Sequence, residues 1–216
     1  MKSKIKDLTE AVNIVKNGDT LMVGGFLQCG QPQHLVGALT KTEVRDLTLI
    51  STDTGTMETS NHFLLKSGKV IRIMASYIGG NPEAGNFLMT GDAEVLLFPQ
   101  GTLAEKIRAG GAGLGGFLSP VGIGTVVEEG KQKLTVDGKE YLLELPLWAN
   151  VAFIKADKAD MAGNLRIHGS ARNFNVLMAT AADHVVAEVS EIVETGEIDP
   201  DDVNVPGVFV DTLVKV

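Results

Sequence analysis

From Asp7 to Gly111 the chain alternates between short apolar runs and stretches of helical periodicity. This alternation points to a parallel α/β sheet, because parallel neighbours need a crossover connection and a helix is the usual one. "DLTEAVNIVKNG" (7–18) predicts the first helix: Asp7 and Glu10 have capping-box spacing, Leu8, Ala11, Val12 and Val15 share one face, and Gly18 marks the stop. "TLMV" (20–23) reads as a short buried strand, and "PQHLVGALTK" (32–41) as a helix opening on Pro32. "DLTLIS" (46–51), "VIRIMAS" (70–76) and "EVLLFP" (94–99) are further strands. "PEAGNFLMTG" (82–91) is a short helix, and "TLAEKIRA" (102–109) is a helix ended by Gly110 and Gly111.

The pattern then changes. "KLTVDGKEYLLEL" (133–145) carries Asp137-Gly138 between alternating runs, a strong hairpin signal. "VAFIKA" (151–156) and "NLRIHG" (164–169) read as strands separated by the turn-like "DKADMAGN", "NFNVLMATAA" (173–182) as a helix and "HVVAEVS" (184–190) as a strand. No Pro-, Ser- or Gly-rich linker divides residues 1–216, so a single α/β domain with an inserted hairpin is expected.

Charge and composition exclude several classes. The net charge of −8 falls in the last fifth: residues 173–216 hold nine acids and one base, while residues 1–172 hold 18 of each. This reads as a solvated acidic surface or a patch for a basic partner; no basic stripe exists to neutralise nucleic-acid phosphates. No apolar run approaches the ~18 residues that span a bilayer, and "MKSKIKDLTE" returns to charge too soon for a signal peptide. With one cysteine, Cys29, no internal disulfide can form, and a cytoplasmic location is expected. His34, His62, His168 and His184 lack zinc-ligand spacing, so no metal is expected.

The chemistry concentrates in "NGDTLMVGGFLQCGQP" (17–32). A strand ending in Gly24-Gly25 lets backbone N–H groups face outward unobstructed by Cβ atoms, at the strand end where open α/β sheets bind ligands. The helix opening near Pro32 would add its positive end, which suits an anion or a carbonyl oxygen. A tight strand-to-helix turn with no ligand is the alternative.

This segment resembles the first signature of the family I coenzyme A transferases: Asn-Gly, three apolar residues, Gly-Gly-Phe, then Gly30 and Pro32. "PQGTLAEKIRAGGAG" (99–113), "VGIGTVVEEG" (121–130), "DGKEYLLELPL" (137–147), "KADMAGNL" (158–165), "SARNFN" (170–175) and "PGVFVD" (206–211) resemble that family's α subunit in order. The resemblance implies a Rossmann-like, doubly wound, mostly parallel sheet, and CoA transfer between a short-chain acyl-CoA and a carboxylic acid. Acetate, butyrate and acetoacetate are the acids it suggests. It also implies that CoA is a substrate held by Gly24, Gly25, Phe26, Leu27, Gln28, Cys29 and Gly30, with Phe26 on the pantetheine arm or in the core. The family's nucleophilic glutamate lies in a Ser-Glu-Asn-Gly segment of a β subunit. That segment is missing here, and "VSEIVE" around Glu191 shares only Ser-Glu. A β partner and an α2β2 assembly are therefore expected.

Gln100, after strand "EVLLF", is a candidate donor to the acyl oxygen or else a loop cap. Thr52 stands where relatives often carry Asn, which leaves the acyl preference open. Cys29 falls at a free position of the signature and is assigned to packing. Arg172 and Asn173 are read as contacting substrate or partner, or as bracing a loop. "GAGLGG" (111–116) follows a helix, the reverse of a dinucleotide site, and is expected to be a loop near the active site. A ligand-sensing domain of the same fold that binds sugar phosphate is the competing reading; a sugar-phosphate isomerase is a third.

Overall fold

The computed structural model describes residues 3–216. In chain order the first half runs α1 (Leu8–Val12), β1 (Thr20–Val23), α2 (Gln33–Leu39), β2 (Leu47–Ser51), α3 (Ser60–Lys66), β3 (Val70–Ala75), α4 (Pro82–Thr90), β4 (Glu94–Leu97) and α5 (Gln100–Gly111). The second half holds β5 (Phe117–Ser119), β6 (Lys133–Val136), β7 (Lys139–Glu144), β8 (Ala149–Asp160), β9 (Leu165–Arg166), α6 (Asn173–Met178), β10 (Ala182–Val193) and β11 (Thr212–Lys215).

The main sheet has the order β11-β10-β8-β1-β2-β3-β4, all parallel, with the short β9 antiparallel to β8. The chain builds outward from β1 to β4, then returns to the other side of β1. The strand order therefore reverses between β1 and β8, where open α/β sheets form their ligand crevice. Alternation along β1 serves both faces. Leu21 and Val23 pack with Leu35, Leu39, Leu64 and Leu65 of α2 and α3. Met22 packs with Leu103, Ile107, Phe174 and Met178 of α5 and α6. The sheet is thus covered on both sides, as a parallel sheet requires.

Local capping signals act at several helix ends. Asp7 accepts the Glu10 N–H at 2.7 Å, and Asn81 accepts the Glu83 N–H at 3.1 Å. The Asp137-Gly138 turn has φ of 49° and 74° and joins β6 to β7. With β5 these strands form a separate antiparallel sheet. Glu144, fully buried at the end of β7, ties it to α5: Lys106 Nζ donates to Oε2 at 3.0 Å, and Lys131 donates to Oε1.

Several expectations are corrected. The first helix stops at Val12, and the 173–182 helix stops at Met178, giving way to β10 at Ala182. "DKAD" is strand, since β8 continues to Asp160: Lys158 pairs with Glu191 of β10 at 2.9 Å, and Asp160 accepts the Asn164 N–H at 2.9 Å. Helix α5 begins two residues early, at Gln100. The "GAGLGG" loop lies at the C-terminal end of α5, a 12-residue helix of about 18 Å, and so at the end remote from Gln100. The acidic last fifth is partly internal: Glu188 is 1% exposed, and its Oε2 accepts the His34 and Leu35 N–H groups at 2.8 and 3.0 Å, capping α2. Lys155 Nζ donates to its Oε1 at 3.0 Å.

Candidate active site

A cavity of about 430 Å³ opens past the C-terminal ends of β1, β2 and β3 and beside the start of α5, lined by Phe26, Leu27, Thr52, Asp53, Ser76, Tyr77 and Gln100. Four separate crossings of the sheet bring these residues together. A larger depression of about 530 Å³, lined by Lys16, Thr42 and Glu43 among others, lies beside α1 and the α2–β2 connection, away from the strand C-termini.

Gly24 and Gly25 are buried and do not line this cavity, which corrects the expectation of exposed amides. Gly24 N–H donates to Phe153 O of β8 at 2.9 Å, so it is spent on joining the two strands at the crevice. Among the described residues the Gly25 N–H finds no acceptor. The glycines serve close approach instead. A Cβ on Gly24 would overlap Asn175 Oδ1, and one on Gly25, at φ 108°, would come within 2.6 Å of Gln31 Cγ.

Asn175 is why that space is taken. It is fully buried; its Oδ1 accepts Lys155 N–H at 3.0 Å, and its Nδ2 donates to Gly30 O at 2.9 Å and Ala171 O at 2.8 Å. Gly24→Ala is therefore expected to cost about 1–3 kcal/mol, since the overlapped side chain is held by three hydrogen bonds that it would have to give up to yield. Thermal unfolding would check this; a Tm within ~2 °C of the parent would show that Asn175 can yield.

After the glycines the chain folds into a two-residue turn. Phe26 N–H donates to Cys29 O at 3.0 Å, and Cys29 N–H returns to Phe26 O at 2.9 Å. Leu27, at the tip, has φ 50°. Phe26 and Leu27 are 39% and 38% exposed and reach the cavity, so Phe26 is not a core residue. Cys29 is exposed as well, 3.3 Å from Ser170 Oγ, which corrects its assignment to packing. Asn173 Nδ2 donates to Cys29 O at 3.2 Å and Ser170 O at 2.8 Å, and Arg172 Nε to Ile167 O at 3.0 Å: both residues brace loops.

The end of β2 grips the same turn. Thr52 lines the cavity, but its hydroxyl donates to Gly25 O at 3.0 Å. Asp53, 3% exposed, accepts the Leu27 N–H on Oδ2 and the Gly55 N–H on Oδ1, each at 2.8 Å. Burial raises its pKa above the ordinary carboxylate value, and the two backbone bonds pull it back down. Asp53, Ser76 and Tyr77 were not singled out from sequence. The Asp53-x-Gly55 spacing, an Asx-turn pattern, is the signal that could have found the first.

Gln100 is exposed in the first turn of α5, where N–H groups have no intrahelical partner; the first bonded one is Leu103 N–H, to Pro99 O at 2.9 Å. Its side-chain amide and the positive helix end meet at the cavity, an arrangement that can stabilise negative charge on a carbonyl oxygen.

A family model described as Coenzyme A transferase matches residues 5–216. The chain belongs to the coenzyme A transferase family. Acetate CoA-transferase subunit alpha of Escherichia coli K12 is 52% identical over 214 residues, covering 99% of this chain and 97% of the relative. The acetoacetyl-CoA:acetate/butyrate CoA transferase alpha subunit of Clostridium acetobutylicum is 44% identical, covering 100% and 99%. The CoA-transferase fold recurs in solved structures. An acyl-CoA transferase from E. coli O157:H7 superposes with a TM-score of 0.90 at 24% identity; 99% of this chain matches 47% of that one, so this chain spans about half its length. Glutaconate CoA-transferase of Acidaminococcus fermentans gives 0.88 at 21% identity, covering 99% and 76%. The chain is a CoA-transferase of the α-subunit type. This sets aside the sugar-phosphate sensor and isomerase readings.

Proposed function

We propose that this α subunit works with a β subunit to move CoA between a short-chain acyl-CoA and a free carboxylate, acetate, butyrate or acetoacetate, as the names of its relatives suggest. One observation carries the division of labour. Among the described residues the one carboxylate lining the cavity, Asp53, is buried with both oxygens committed to backbone N–H groups, so it is no nucleophile. The attacking glutamate comes from the β subunit, in keeping with the missing Ser-Glu-Asn-Gly segment.

The partner's carboxylate adds to the thioester carbonyl and expels CoA thiolate, leaving a mixed anhydride. The thiolate then attacks the glutamyl carbonyl and releases the donor acid, leaving an enzyme–CoA thioester. The acceptor acid reverses both steps, so the bond energy is conserved and the kinetics are ping-pong. Each attack places negative charge on a carbonyl oxygen, which Gln100 and the start of α5 stabilise. Within Gly24–Gly30 the turn after the two buried glycines forms the CoA side, with Phe26 and Leu27 offered to the pantetheine arm, Gln28, Cys29 and Gly30 completing the turn, and Gly24 and Gly25 letting it close against Asn175 and Gln31. Metal-free chemistry, an α2β2 assembly and a cytoplasmic location belong to the same reading.

The test is exchange by the purified pair. Co-purified α and β chains should transfer CoA from acetoacetyl-CoA to acetate or butyrate, and neither chain should do so alone. Silence of the pair across a panel of short-chain acids would overturn the assignment.

A further inference from the structure

Asp53 presents an energetic puzzle. It is 97% shielded, and among the described residues no Lys, Arg or His nitrogen lies within 4.0 Å of its carboxylate. A buried carboxylate without a cation is costly, and a well-packed apolar residue would serve stability better. Its bonds show what it holds. Oδ2 takes the N–H of Leu27, an L-residue in the left-handed region at φ 50°, at the tip of a turn closed by only one pair of backbone bonds. Oδ1 takes the N–H of Gly55 at φ 74°. The clamp is itself fixed: Ser51 Oγ donates to Asp53 O at 2.7 Å, and Thr52 holds the Gly25 carbonyl beside it.

We propose that Asp53 is a positioning residue for the acyl-CoA substrate, fixing the Phe26–Cys29 turn in the conformation that receives CoA. The inference rests on the reading of the turn after Gly24 and Gly25 as the CoA side. Asp53 itself touches no reacting atom. It removes the turn's freedom before binding, and such preorganisation shows in affinity. An asparagine keeps one acceptor oxygen but turns an N–H donor toward the second backbone N–H, so half of the clamp is lost.

The test uses the enzyme complexed with its β subunit. Asp53→Asn is expected to raise KM for acyl-CoA about ten- to a hundredfold, the scale of one lost hydrogen bond to a charged group, while KM for the acceptor acid and kcat stay within about threefold. An unchanged acyl-CoA KM, or an equal rise in both KM values, overturns the proposal. A second measurement needs no variant. Leu27 sits in a partly exposed turn, so slow exchange of its amide hydrogen reports the Asp53 bond, and exchange at the unprotected rate overturns the clamp. An inactive parent complex would count against the transferase reading, and the exchange rate would then decide the clamp by itself.

Discussion

Gln100→Ala in the assembled enzyme is expected to lower kcat by about 10²–10³, the usual loss when one positioned donor to an oxyanion is removed. The expectation follows from where α5 begins. Pro99 leaves β4, the helix opens at Gln100, and this side chain reaches the cavity shared by Phe26, Leu27 and Tyr77. It is exposed in the free subunit, so truncation leaves no hole in the core and folding should be intact. Because the donor matters only once charge has moved onto oxygen, kcat and kcat/KM should fall together with little change in KM for acyl-CoA. Steady-state kinetics with acetoacetyl-CoA and acetate would read this. A kcat within threefold of the parent would remove Gln100 from the reaction.

The second large effect concerns stability. Glu144 is fully buried between Lys106 and Lys131, whose side chains are only 8% and 20% exposed. Lys106 also sits 5.2 Å from the centre of the Phe98 ring. Glu144→Ala strands two ammonium groups on one desolvated spot and is expected to cost about 3–5 kcal/mol. For a domain of this size that is roughly a 6–20 °C drop in Tm. Glu144→Gln keeps the volume and removes the charge. If its loss is comparable, the unpaired ammoniums are the cause; if Gln is tolerated and Ala is not, the cavity is.

The parallel architecture was legible because its strands are apolar runs short enough to be told from helices, and because Gly18, Gly91 and Asp137-Gly138 mark turns. What stayed hidden was polar and buried. Thr52–Thr54 and Ser60–His62 carry no apolar pattern, yet they are sealed: Thr52, Asp53 and His62 are hydrogen-bonded, Thr54 Oγ1, Ser60 Oγ and Asn61 Oδ1 find no partner among the described residues, and Ser60 opens α3. The charges of "DKAD" argued for a turn, but cross-strand pairing with β10 satisfies Lys158. Strand β5 is only three residues long, too short for periodicity to register. At the site, the glycine corner, Phe26 and Gln100 were found as motif positions. The glycines are buried rather than exposed, and they are bare because Asn175 and Gln31 occupy the space, a cause that lies partly 150 residues downstream. Asp53 escaped notice because a short acid in a Thr-rich segment looks like solvent-facing loop.

The position of β1 has a consequence for how the molecule is made. Its partner β2 follows within 30 residues, whereas its other neighbour, β8, joins through Leu21 and Val151, 130 residues later. While the ribosome is still adding the middle of the chain, β1 is the bare, sticky margin of a half-built sheet, open to chaperones or to another nascent copy. Asn175 arrives later still, so the glycine corner behind the pocket stays unbraced after all the residues that line the pocket have been made.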